Sequence, residues 1–79
     1  MEIKVKVATI LLDKADPPLD ESEFIRSIED GSDVGRLIAD LGIPTRLVGS
    51  VTVNKKRSGW ERALAEDDAV AIIPAISGG

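Results

Sequence analysis

The residues with the most distinctive chemical potential stand at the end of the sequence. Ile73, Pro74, Ala75, Ile76, Ser77, Gly78 and Gly79 follow an apolar run and finish on two glycines. Glycine keeps more backbone freedom than any other residue, so a Gly-Gly end on a packed body is mobile unless a partner needs it thin. The Gly79 carboxylate is the group that could react. With a pKa of about 3.5 it is ionised at neutral pH and is a poor electrophile, so chemistry there requires activation. A second group, Glu66, Asp67 and Asp68, suggests an acid-base pair or a cation site. Adjacent acids in a polar turn, with no apolar pocket legible around them, read instead as solvated. A third, Lys55, Lys56 and Arg57, suits either an acidic or phosphorylated partner or a solvated turn that blunts a sheet edge.

The composition excludes most other chemistry. The 79 residues include neither Cys nor His, which removes thiolate nucleophiles, Ser-His-Asp triads and ordinary zinc sites. No disulfide can form, and the absence of Cys is compatible with a reducing compartment. No metal site is expected. The net charge of -4 argues against nucleic acid, whose phosphates call for clustered Lys and Arg. Eight acids between residues 13 and 33 face only Lys14 and Arg26. That asymmetry could steer a basic partner, or simply be a solvated hairpin and loop. The N-terminus alternates charged and apolar residues without the apolar core of a signal peptide, and no stretch approaches the roughly 20 apolar residues of a membrane span. A soluble cytoplasmic protein is expected.

A chain this short holds one core. Ile3, Val5 and Val7 share one face and Lys4 and Lys6 the other, so residues 3–12 are expected to start the fold as a strand with one wet side. Pro17 and Pro18 place a loop after it. Residues 20–30 fit two patterns. Phe24, Ile25 and Ile28 suit a helix capped by Asp20, and residues 23–29 also suit a short strand pairing back on the first. The closeness of the next element favours the strand. Residues 32–41 form the clearest helix: Ser32 as N-cap, Asp33 in the first turn, Val34, Leu37, Ile38 and Leu41 on one stripe, Gly42 and Pro44 as the stop. Residues 47–53 read as a strand that ends at the Asn54 turn. An irregular stretch follows, with Trp60 as a lid on the core rather than a binding platform. The wholly apolar residues 69–73 read as a strand buried on both faces or lying centrally, and Pro74 ends its ladder.

These elements make an α+β layer, a mixed sheet of four to five strands with one main helix packed across it. Hairpins at both ends and the crossing helix between them put the last strand parallel to the first. That is the β-grasp (ubiquitin-like) arrangement, assigned to residues 1–74, with residues 75–79 as a flexible Gly-Gly tail.

At this level the sequence resembles the ubiquitin-like sulfur-carrier family, which includes the small subunit of molybdopterin synthase and the sulfur carrier of thiazole synthesis. The resemblance covers nearly the whole chain. It is carried by Ile3-Lys4-Val5-Lys6-Val7-Ala8, by Asp30-Gly31-Ser32-Asp33-Val34 with Leu37, by Val51-Thr52-Val53-Asn54, by Leu64-Ala65-Glu66-Asp67-Asp68-Ala69-Val70 and by the Gly-Gly end. The tail is similar to the molybdopterin type of ending, with Ala75 where that type has a second proline. Lys56 and Arg57 stand where relatives often carry a hydrophobe.

The resemblance implies a carrier and co-substrate rather than an enzyme, possessing no bound cofactor. A ubiquitin-activating-type enzyme would use ATP to adenylate the Gly79 carboxylate, and a persulfide sulfur would displace AMP to leave a thiocarboxylate. Gly78 would pass through enclosed channels that a side chain would block. Val7, Ile73, Pro74, Ala75, Ile76 and Ser77 would lie against the partner. The sulfur acceptor would be a molybdopterin synthase large subunit, with thiazole synthesis or tRNA thiolation as alternatives. Transfer of Gly79 to a lysine amine, as in a protein modifier, shares the same steps, and a non-covalent β-grasp interaction module needs none of them.

Overall fold

A computed structural model describes residues 1–75 of the chain. Five strands form one sheet: β1 (Glu2–Val7), β2 (Glu23–Ser27), β3 (Val48–Val53), β4 (Lys56–Ser58) and β5 (Ala69–Pro74). Their order is β2-β1-β5-β3-β4. β5 runs parallel to β1, and the other neighbours are antiparallel. A single α-helix, α1 (Val34–Leu41), packs on one face. This is the expected β-grasp fold.

Alternation in β1 sets the layers. Ile3, Val5 and Val7 are buried and Glu2, Lys4 and Lys6 are exposed. The buried set meets Val34, Leu37, Ile38 and Leu41 of α1, with Val51, Val53, Val70 and Ile72 from β3 and β5 completing the core. Burying each such side chain contributes about 1.5–3 kcal/mol, so this layer supplies most of the stability. β1 is shorter than its apolar run suggests. Alternation stops at Ala8, and Thr9–Lys14 coil into a 3-10 helix that buries Leu11 and leaves Ile10 exposed.

Residues 23–27 are the strand, paired with β1 from Glu2 opposite Ser27 to Lys6 opposite Glu23. Sheet pairing resolves what periodicity left open. The N-cap of α1 is Asp33, one residue later than Ser32: its carboxylate accepts from the Arg36 N–H at 2.8 Å, while Ser32 is buried. The first helical N–H groups, of Val34 and Gly35, donate to the carbonyls of Arg62 and Trp60. The irregular stretch after β4 thus lies across the helix start and satisfies donors that would otherwise lack partners. Trp60 is held there by its backbone with its side chain 38% exposed, and is not the core lid its size suggested. Gly42 closes the helix at φ 71°, in the left-handed region.

Asn54 and Lys55 form a two-residue hairpin turn, both at positive φ. Lys56 and Arg57 belong to the short edge strand β4 rather than to the turn itself. β5 is central, with β1 and β3 on either side, but only Val70 and Ile72 face the core. Ala69, Ala71 and Ile73 point to the open face, so one side of this apolar strand is uncovered. Pro74 remains within β5 as its last residue, opposite Val48. No helix among the described residues is long and apolar enough to cross a membrane.

Candidate functional site

The sheet determines where the chain end leaves the body. β5 carries Ile73 opposite Ser50 and Pro74 opposite Val48, and the Ala75 N–H then donates to the Leu47 carbonyl at 2.8 Å. The root of the tail is thus bonded along the start of β3. Ile73 is 41% exposed and Pro74 is half-buried, while Ala75 is exposed. The remaining expected site residues, Ile76, Ser77, Gly78 and Gly79, lie outside the described residues.

Val7 does not belong to the exposed surface. It is 1% exposed and pairs with Ile72, whose side chain also points inward. Period-2 alternation assigns both to the core side, and the neighbouring row, Lys6 opposite Ala71, faces the open side. Ile73 and Val7 therefore lie on opposite faces of the sheet.

The open face of the sheet forms a shallow depression along the first half of β5, lined by Lys4, Lys6, Glu23, Ile25, Thr52, Lys55, Ala69 and Ala71. Ile25 is 63% exposed on this face. Three lysines on one face of an otherwise acidic chain make it locally basic, in contrast to the acid-rich loops around α1. Sequence patterning hinted at this face through Lys4 and Lys6. It gave no face for Ile25, because periodicity in residues 20–30 fitted a helix as well as the favoured strand.

The acidic turn before β5 has a structural part. The Asp68 carboxylate accepts from the Ala65 N–H at 2.9 Å and from the Asn54 side chain at 3.0 Å, and Asn54 in turn accepts from the Ala69 N–H. The Ala65 bond first, then the Asn54 bond and the Arg62 charge, hold the Asp68 carboxyl below its ordinary range against a small opposing desolvation. Glu66 accepts from the Glu2 N–H. Among the described residues no cluster of acids is placed to hold a metal ion.

The geometry is that of a central strand, β5, that runs out to a root tethered by the Ala75 N–H bond to the Leu47 carbonyl. Comparison with known proteins bears directly on that geometry. The ThiS family model matches residues 14–79, most of the chain and all of the stretch from α1 to the last glycine. The chain belongs to the ThiS family. It is thus a small ubiquitin-like protein of the sulfur-carrier family. No curated protein sequence matches it at a significant level.

Solved structures agree on the fold of this ThiS-family chain. It is similar to the crystal structure of SAMP1 from Haloferax volcanii, with a TM-score of 0.71 and 19% identity over 100% of both chains. It is similar also to a putative molybdopterin converting factor, subunit 1, from Pyrococcus furiosus, with a TM-score of 0.74 and 19% identity over 96% of this chain and 99% of that one. A Haloferax volcanii protein solved in solution, HVO 2177, gives a TM-score of 0.77 at 21% identity, over 100% and 87%.

Gly49 is the residue at this site that motif spacing passes over. A glycine inside a strand pattern signals a bulge or a close backbone approach. Both occur here. The β3–β5 register shifts between Val48 and Ser50, leaving Gly49 as the extra residue facing Pro74 and Ala75.

Proposed function

We propose that this protein is a sulfur carrier whose Gly79 carboxylate is adenylated and converted to a thiocarboxylate for transfer to an acceptor enzyme. The supporting observation is that the family match runs through residue 79, on a fold whose central strand leads straight into the tail. An activating enzyme of the ubiquitin type spends ATP to join the carboxylate to AMP with loss of pyrophosphate. The outer sulfur of a donor persulfide then displaces AMP to form an acyl disulfide, and a thiol cleaves its S–S bond, leaving the thiocarboxylate on Gly79 and a disulfide on the donor side. Splitting the substitution through an activated acyl intermediate makes each step easier than direct attack on a carboxylate. Bare glycines let the terminus enter the two enclosed sites it must visit in turn. The carrier binds no cofactor of its own and works in the cytoplasm, where ATP is supplied.

The acceptor favoured is the large subunit of a molybdopterin synthase, for which this chain is the small subunit. The Pro-containing tail and the likeness to a putative molybdopterin converting factor, subunit 1, support that choice over thiazole synthesis or tRNA thiolation. The partner meets the root at Ile73, Pro74 and Ala75 and the segment Ile76-Ser77 beyond it.

Intact-mass measurement tests the reading. The chain is incubated with its cognate activating enzyme, ATP and a sulfur donor, and one oxygen should be exchanged for sulfur at Gly79. Extending the chain by one residue after Gly79 should abolish the exchange. An unchanged mass with a competent activating enzyme, or an extended chain that still reacts, refutes it. A second reading rests on the likeness to a small archaeal modifier protein. In that reading Gly79 is joined to lysine amines of other proteins, and isopeptide-linked adducts in a lysate would identify it.

A further inference from the structure

We propose that Gly49 is the positioning residue for the reactive end: its missing side chain forms the seat that holds Pro74 and Ala75 against β3 and so fixes where the chain leaves the sheet. The inference rests on the carrier reading above for its consequence, but on geometry for the seat.

Gly49 is not required by backbone conformation, since it lies outside the positive-φ region that Gly31 and Gly42 occupy. It is exposed, so packing in the core does not require it either. What it provides is closeness. A Cβ placed on Gly49 would stand 2.6 Å from the Pro74 carbonyl oxygen, 2.8 Å from the Ala75 Cα and 3.0 Å from the Ala75 nitrogen. All three are backbone atoms, so no rotamer change relieves the contact. Any side chain must push Pro74 and Ala75 away from β3. The bond that lies beside this contact is the Ala75 N–H to the Leu47 carbonyl, at 2.8 Å. With the seat intact the pairing along β3 continues through Pro74 and the Ala75 N–H. With it filled, the ladder between β3 and β5 ends near Ile73 opposite Ser50, and Pro74 and Ala75 are released from the sheet.

Releasing Pro74 and Ala75 adds two unpaired residues between the sheet and Gly79 and so spreads the terminus over more directions. The body still docks as before, yet the carboxylate is less often placed at the adenylating phosphate. Positioning of this kind acts on kcat more than on KM.

The test compares Gly49→Ala with the parent chain and with Gly59→Ala, where an added Cβ meets nothing within 4 Å. Two quantities are read: hydrogen exchange of the Ala75 amide, and steady-state adenylation by the cognate activating enzyme through pyrophosphate release. Gly49→Ala should raise exchange at Ala75 and leave the Val51 and Ile72 amides protected. It should lower kcat about tenfold, roughly the cost of ordering the Ala75 backbone, since the ring of Pro74 already fixes its φ, with KM nearly unchanged. Gly59→Ala should change neither quantity. Unaltered exchange at Ala75, an unaltered kcat, or global unfolding of Gly49→Ala would each overturn the proposal, because a seat at the end of the sheet must fail locally. If the parent chain is not adenylated at all, the carrier reading fails by itself, and the exchange comparison still decides whether Gly49 seats the root.

Discussion

Two glycines at positive φ allow backbone conformation and steric contact to be weighed separately. Gly31, at φ 89°, has nothing within 4 Å of where a Cβ would stand. Gly42, at φ 71°, would bring a Cβ into the Asp16 backbone, with the Asp16 nitrogen at 2.8 Å and its carbonyl oxygen closer still. Gly31→Ala therefore carries only the left-handed penalty, about 1 kcal/mol for an L residue. Gly42→Ala carries that penalty plus the cost of forcing apart two backbones packed at the helix end, about 1–3 kcal/mol by analogy with overpacked cores. The difference should thus be about 2 kcal/mol. The shift also strains the Gly42 N–H bond to the Ala39 carbonyl, and the nearby bond from the Asp16 N–H to the Leu41 carbonyl. Urea unfolding followed by far-UV circular dichroism measures both variants against the parent, with m-values checked for constancy. In thermal unfolding, about 2 kcal/mol corresponds to a gap of roughly 8–16 °C between the two variants in a domain this small. Equal losses at the two positions would refute the reasoning, for then the Asp16 contact would carry no cost. A Gly31→Ala loss as large as the value expected for Gly42→Ala would refute the conformational part.

Leu37, fully buried under the sheet, should cost about 3 kcal/mol when replaced by Ala, measured by the urea midpoint, which is a large share of what so small a domain possesses. Asp68→Asn should lower stability at neutral pH by about 1 kcal/mol, a value reduced for the solvent around this carboxylate. Because folding lowers the Asp68 pKa, its contribution is present above the ordinary value of about 3.9 and is lost as pH falls through the folded value. Unfolding curves of parent and variant should therefore converge on the acid side, and a gap that does not narrow as the pH falls below about 3.9 would exclude the ionised carboxylate as its source. Gly78→Val should leave the urea midpoint unchanged and stop thiocarboxylate formation in the mass assay, whereas a reactive Gly78→Val chain would show that the tail passes no constriction.

The parts of the fold that could be anticipated are those where one physical requirement acts alone. The alternation of Ile3, Val5 and Val7 with lysines admits no helix, and the stripe from Val34 to Leu41 ending at Gly42 admits no strand. Where two requirements compete over a short span, the sequence is silent. Residues 23–27 carry both periods, and only the ladder with β1 decides between them. Ser32 and Asp33 are both good caps, and the choice falls to the residue whose carboxylate reaches the Arg36 N–H. Trp60 looks like core because of its size, but its carbonyl is engaged at the start of α1 and its side chain stays partly in solvent. The expected site shows the same division. Ile73, Pro74 and Ala75 could be placed beside a leaving tail because β5 had to end there. Val7 could be matched by position but not by face, and alternation turns it inward. Gly49, a glycine inside a strand pattern, signals a close approach, but its partners Pro74 and Ala75 lie 25 and 26 positions later in the chain, and no local pattern names them.

The position of β5 also has a consequence for how the protein is made. The strand formed last in synthesis lies in the middle of the sheet, and its partner β1 is the strand formed first. Contacts between Val5 and Val70 or Val7 and Ile72 close a loop of almost the whole chain, so this fold has a high contact order and is expected to form slowly for its size. A chain interrupted before Ala69 lacks the strand that joins its two halves, and exposes the bonding edges of both β1 and β3. Folding thereby becomes a check on synthesis: the five-stranded sheet closes only once the chain has been translated through Pro74.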